Sequence, residues 1–116
     1  MNMPAAIMAP ASALVVDLMV RRMERALRER VRYRYVRPHV RREGDAFRIQ
    51  SPCCSRKVDR SGGLIDIALL IPHAPGHWCL FSRNHANSTW EPRRQDASLD
   101  ELLDLLCMDS ERQFWP

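Results

Sequence analysis

Glycine is scarce, with four residues in 116, and no period repeats along the chain. Repeat and collagen-like architectures are therefore excluded. There is no glycine-rich phosphate loop, no G-x-S-x-G and no C-x-x-C. The local signatures of P-loop, α/β-hydrolase and thioredoxin-like chemistry are thus missing. Lysine is nearly absent: Lys57 stands against seventeen arginines. The opening "MNMPAAIMAPASALVVDLMVRR" has no basic leader, is interrupted by Pro4 and Pro10, and carries Asp17. It predicts neither a signal peptide nor a transmembrane helix. The protein reads as cytoplasmic, without a membrane partner, its thiols at Cys53, Cys54, Cys79 and Cys107 reduced.

What is present suits one domain. Hydrophobic residues make up 46% of the chain, enough for a modest core and against general disorder. Residues 1–11, with two prolines and no charge, read as a loose arm, and residues 12–116 as a single α+β domain. The net charge of +4 is unevenly spread. From Asp17 to Arg48 eleven arginines face five acids, a net of +6; from Asp96 to Arg112 six acids face one arginine, a net of −5. Arginine richness fits phosphate recognition through its planar fork of donors. It equally fits a GC-rich genome.

Ser12 is placed to cap a helix running to about Arg30. Val16, Met19, Val20, Met23 and Leu27 form its core stripe. Leu14, Val15 and Leu18 form a second apolar stripe, which predicts a partner surface, including a homodimer contact. In "RVRYRYVRPHVRR" the period changes to two, with Val31, Tyr33 and Tyr35 opposite Arg32 and Arg34, and Pro38 suits an edge strand. "REGDA" is a hairpin signal, and Phe47 and Ile49 continue the alternation. "SPCCSRKVDRSGG" reads as a connecting loop. "LIDIALLI" predicts a strand covered on both faces, "HWCLFSR" another, and "STWEP" a short last one. Ser98 to Glu101 reads S-L-D-E, a capping box, followed by the stripe Leu99, Leu102, Leu103 and Leu106. Phe114 and Trp115 are expected to tuck back onto the sheet. The predicted fold is an antiparallel meander of about five strands, with an N-terminal and a C-terminal helix packed on one face.

Three chemistries compete with purely structural readings. Arg30, Arg32, Arg34, Arg37, Arg41, Arg42 and Arg48, interleaved with Tyr33 and Tyr35, have the composition of a nucleic-acid-binding segment. No helix-turn-helix, ribonucleoprotein or KH signature accompanies them, and a solvated strand face explains them as well. Cys53 or Cys54, with His73, His77 and Cys79, makes a conceivable zinc set, although no standard ligand spacing supports it. Otherwise Cys79 and Cys107 are small buried hydrophobes and the histidines turn residues. Arg56 and Lys57 beside the paired cysteines would favour a reactive thiolate, but no partner His is fixed by spacing. No catalytic set emerges. Asp66, inside an apolar strand, reads as a paired structural charge.

Trp78, Phe81, Arg83, Trp90 and Pro92, followed by Leu99, Leu102, Leu103, Asp109, Phe114 and Trp115, form a recognisable series. It resembles, over residues 77–115, an uncharacterised family of small bacterial proteins classed as a domain of unknown function. The resemblance implies an α+β fold and no assigned activity. "SPCCSRK" departs from the family pattern, so no role for its cysteines is inherited. The combined reading is a binding or interaction module rather than an enzyme, with a nucleic-acid binder and a zinc or thiol site as alternatives and no other cofactor.

Overall fold

Period-two patterning in the middle of the chain folds as strands, and the 3.6-residue stripes at the two ends fold as helices. The structure, a computed structural model, describes residues 15, 18–30, 37–52 and 63–115. β1 (His39–Glu43), β2 (Ala46–Pro52), β3 (Leu64–Ala74), β4 (His77–Asn84) and β5 (Thr89–Ala97) form one antiparallel sheet in sequence order. The first helix, α1, holds the described helical residues 15 and 18–27, and α2 spans Leu99–Met108. This is the predicted α+β meander. Gly44 (φ 59°) and Gly76 (φ 77°) turn the first and third hairpins in the left-handed region, which glycine enters without a Cβ penalty.

Pairing sets the faces. Phe47, Leu70 and Leu80 lie side by side across β2, β3 and β4, and Val40, Ile49 and Ala68 form the next row. All six are buried in one cluster with Met23 and Leu27 of α1 and Leu99, Leu102, Leu103 and Leu106 of α2. Each fully buried Leu or Ile contributes roughly 1.5–3 kcal/mol relative to exposure. The other face carries Arg48, Leu69, Phe81 and Pro92 in a row. No described helix covers the second face of β3, contrary to what its apolar run suggests. Leu69 and Ile71 are half-buried, and Leu64 is 55% exposed. The reason is topological: both described helices pack on the same side of the sheet.

A bulge refines the register. Ile49 pairs with Ala68 but Gln50 with Asp66, so Ile67 is skipped and is buried in the core. The shift puts Asp66 beside Gln50 on the open face. β5 runs beyond the expected "STWEP" to Ala97, and β3 continues to Ala74.

α1 ends three residues before the predicted Arg30. Arg28, Glu29 and Arg30 each donate a backbone N–H to the carbonyl three residues back, tightening the last turn. Met19 and Val20 pack on the core as the stripe requires, while Val15 and Leu18, at 58% and 57% exposed, carry the second stripe. Leu14, Val16 and the alternation from Val31 to Val36 lie outside the described residues; β1 itself begins after Pro38.

At α2, Ser98 accepts the Glu101 backbone N–H at 3.2 Å. The return arm of the capping box is diverted, because the Glu101 carboxylate pairs with Arg94. Asp109 closes the helix in the left-handed region (φ 41°). Its carboxylate accepts the backbone N–H groups of Gln113 (2.7 Å), Phe114 (3.2 Å) and Trp115 (3.0 Å). The terminal aromatics are thereby folded back and buried, with Trp115 Nε1 donating to the Leu106 carbonyl at 2.8 Å.

Candidate functional site

The arginines expected to act together divide into three environments. Arg30 is buried at 2% exposure, its Nη1 donating to the Leu27 carbonyl at 2.8 Å and its guanidinium 4.8 Å from the Trp115 ring centroid. It belongs to the core rather than to a surface shared with Arg37, Arg41 and Arg42. Burial lowers its pKa, and the nearby Cys107 opposes that shift. Arg32, Tyr33, Arg34 and Tyr35 lie outside the described residues.

The second environment is the open sheet face. Asp66, with its side chain 14% exposed, accepts from Gln50 Nε2 at 3.0 Å and from Arg48 Nη1 at 3.4 Å. Arg83 Nε stands 3.7 Å from Asp66 Oδ2. Arg48 also forms an ion pair with Glu43. Trp90 stacks with both guanidiniums, at 4.9 Å from Arg83 and 5.7 Å from Arg48. Asp66 is the paired charge its sequence position suggests. Arg48 is held by two carboxylates, which leaves it little freedom to grip a phosphate.

The third environment is the corner where α1 meets the start of β1. Arg21, Arg25 and Arg28, spaced i, i+4, i+7, share one helical face and are exposed. A cavity of about 190 Å³ lies beside them, lined by Glu24, Arg28, Arg37, Pro38 and His39. Its one acid, Glu24, already accepts the Val40 backbone N–H at 3.3 Å, tying α1 to β1. Elsewhere four exposed arginines are paired with acids: Arg22 with Asp100, Arg42 with Asp45, Arg93 with Glu91, Arg94 with Glu101. Arg25, Arg28, Arg37 and Arg41 make no ion pair with any described residue.

The zinc set is only partly described. Cys53 and Cys54 lie outside the described residues, and so do Arg56 and Lys57. His73 is 3.5 Å from Asp96, and Cys79 sits on the open face opposite Ile71. Among the described residues no three His, Cys, Asp or Glu side chains gather where they would hold a metal. Cys107, the other thiol, is half-buried, with Sγ 3.2 Å from the Ala26 carbonyl.

Two features were not predicted from the sequence: the Arg–Trp–Arg stack over Asp66, and the committed Asp109 carboxylate. For the first, the only signal in the sequence was Asp66 inside an apolar strand, a charge in need of a partner. For the second there was none, because its partners are backbone N–H groups.

A helix at each end of a five-stranded meander, packed on one face, with a polar cluster on the other, defines a small single-sheet α+β domain. The chain belongs to a domain family of unknown function, DUF3024, which it matches over residues 11–116. No curated protein and no solved structure matches it. Among the described residues no helix is long and apolar enough to cross a membrane.

Proposed function

We propose that this protein is a binding module whose ligand is a phosphate-bearing chain, a nucleic acid, held at the α1–β1 corner. One observation carries the reading: Arg25, Arg28 and Arg37 are exposed and unneutralised among the described residues, whereas Arg22, Arg42, Arg48, Arg83, Arg93 and Arg94 are each paired with an acid. An unpaired guanidinium loses no ion pair on meeting a phosphate, and it releases condensed counterions. Arg41, in register with Arg48, adds a further cation without an ion pair to any described residue, on the open face of the sheet.

The test is fluorescence anisotropy with short labelled DNA and RNA, single- and double-stranded, across a salt series. Binding should weaken linearly on a log–log plot. Arg25→Gln, Arg28→Gln and Arg37→Gln should each reduce the slope by roughly 0.7–0.9. Absence of a complex at low salt, or an affinity indifferent to salt, refutes the proposal.

A second reading has its own support. Val15 and Leu18 present an apolar stripe at 58% and 57% exposure, so self-association through Leu14, Val15 and Leu18 would remove it from water. Light scattering over a concentration series tests this, and a monomer throughout refutes it.

A further inference from the structure

Across the open face from β1, where β3 begins and the β4–β5 turn folds over, lies a second cavity of about 230 Å³, lined in part by Gln50, Asp66, Arg83, His85 and Ser88. Its acid is committed: Asp66 accepts from Gln50 and Arg48 and neutralises Arg83. Its base is not. The Arg83 side chain is 21% exposed, stacks on Trp90, and comes no closer than 3.7 Å to Asp66, too far for a hydrogen bond. It donates to no described residue. A guanidinium offers five N–H donors, and one largely withdrawn from bulk water is a strong binder of an oxyanion. His85 and Ser88 line the same space and add an imidazole and a hydroxyl. The turn bearing them is fixed by Asn84, whose side chain accepts the Asn87 N–H at 3.1 Å and donates to Glu91 at 3.2 Å.

We infer that this cavity is an oxyanion site, for a carboxylate or a phosphate group, in which Arg83 supplies the fork and His85 and Ser88 supply additional donors. The site is separate from the α1–β1 corner and does not depend on the function proposed there. Binding is coupled to protons. The charged groups facing His85 are Arg83 on β4 and Asp66 on β3; burial first and Arg83 second push the imidazole below its ordinary pKa, against the pull of Asp66. An anion laid against Arg83 counters its repulsion and attracts the imidazolium, so His85 takes up a proton as the anion binds. Affinity therefore rises as pH falls, by up to about tenfold for each unit by which the bound anion raises the imidazole.

The experiment is an NMR titration of the full chain, following the His85 ring C–H signals, with sulfate as the tetrahedral probe and acetate as the planar one. It is run from pH 5.5 to 7.5 at constant ionic strength. A saturable shift with either probe, tighter at pH 5.5, together with a higher His85 midpoint at saturation, is the expected result. Which probe saturates separates the phosphate from the carboxylate source. Arg83→Gln should abolish saturation. Arg83→Lys, which keeps a charge beside Asp66 but removes the fork, should weaken binding several-fold and decides the matter if Arg83→Gln does not fold. His85→Asn should bind with no pH dependence between those limits. Non-saturating shifts with both probes, or saturation unchanged in Arg83→Lys, overturn the site. Saturation without proton uptake overturns the coupling. The substitutions Arg25→Gln, Arg28→Gln and Arg37→Gln should leave this titration unaltered, so failure of the nucleic-acid reading does not touch it.

Discussion

The guanidinium of Arg30 lies 4.8 Å from the ring centroid of Trp115 and joins the end of α1 to the end of the chain. Both residues are buried, at 2% exposure each. A flat cation on an aromatic face is stabilised by the ring quadrupole, and shielding from water strengthens the contact.

Replacing Arg30 by Lys should therefore not be conservative. The ammonium is more strongly hydrated and has no plane to lay on the indole. Arg30→Lys is expected to cost about 1–2 kcal/mol in urea unfolding, of the order of a desolvated cation–π contact. Arg30→Met, which keeps the length and removes the buried charge, should cost less. If Lys and Arg prove equivalent, the stack contributes nothing to stability.

Asp109 holds the same tail from its backbone. Three N–H groups converge on one carboxylate that is 3% exposed. Asp109→Ala leaves those donors without their acceptor and should destabilise by about 3 kcal/mol or more, at roughly 1–3 kcal/mol per unsatisfied buried group after relaxation of the tail. Asp109→Asn keeps one acceptor oxygen and should fall between. The Trp115 indole N–H resonance, resolved from those of Trp78 and Trp90, reports the outcome: loss of its native shift before global unfolding means that the tail has detached, and an unchanged resonance in Asp109→Ala would contradict the latch.

These two contacts mark what the sequence could and could not reveal. S-L-D-E followed by Leu99, Leu102, Leu103 and Leu106 was legible because cap and stripe are local, within a few residues of one another. Sheet order was legible for the same reason at three of the four connections, where short turns force neighbouring strands together; β2 and β3 are joined by the longer segment 53–63. Arg30 was not, because it sits in a basic run and is buried by a tryptophan at the opposite end of the chain. The division of the arginines into committed and free ones was likewise hidden. It depends on which strand brings Asp66 beside Arg48 and Arg83, and the skipped Ile67 decides which face Asp66 takes. Patterning predicts faces; it does not predict the partner across a sheet.

Asp66 is the pivot of the open face, and its removal should expose the repulsion it suppresses. Asp66→Asn retains the size and an acceptor for Gln50 but leaves Arg48 and Arg83 both stacked on Trp90 without the shared counter-charge. A loss of about 3–5 kcal/mol is the scale for a buried pair broken on one side. The side chains of Asp66, Arg48 and Arg83 are 14%, 28% and 21% exposed, so solvent screening reduces this to about 1–3 kcal/mol. The double variant Asp66→Asn with Arg83→Gln should recover part of the loss. A double-mutant cycle with no coupling between the two positions would show that the ion pair is incidental.

Cys107 gives a pH dependence of defined sign. Burial first, then Asp104, raise its thiol pKa above the ordinary 9.0; Arg30 opposes and Glu29 adds to the rise. In the unfolded chain the thiol ionises near 9.0, whereas in the fold it stays protonated to higher pH. Above that value the unfolded state holds fewer protons than the native one, so stability is level below about pH 9 and declines as pH rises through the folded value. Below 9 the thiol is neutral in both states and contributes no slope. Other groups titrate in the alkaline range, so the decisive quantity is the difference between wild type and Cys107→Ala. That difference should be constant from pH 6 to 8 and should shrink above 9. Site-resolved mass spectrometry of iodoacetamide labelling gives the matching kinetic reading. Thiolate is the reactive form, so Cys107 should alkylate more slowly at pH 8.5 than it does in urea-unfolded protein. Equal rates in the two states, or a stability difference flat through pH 10, would mean that the Sγ contact with the Ala26 carbonyl does not shelter the thiol.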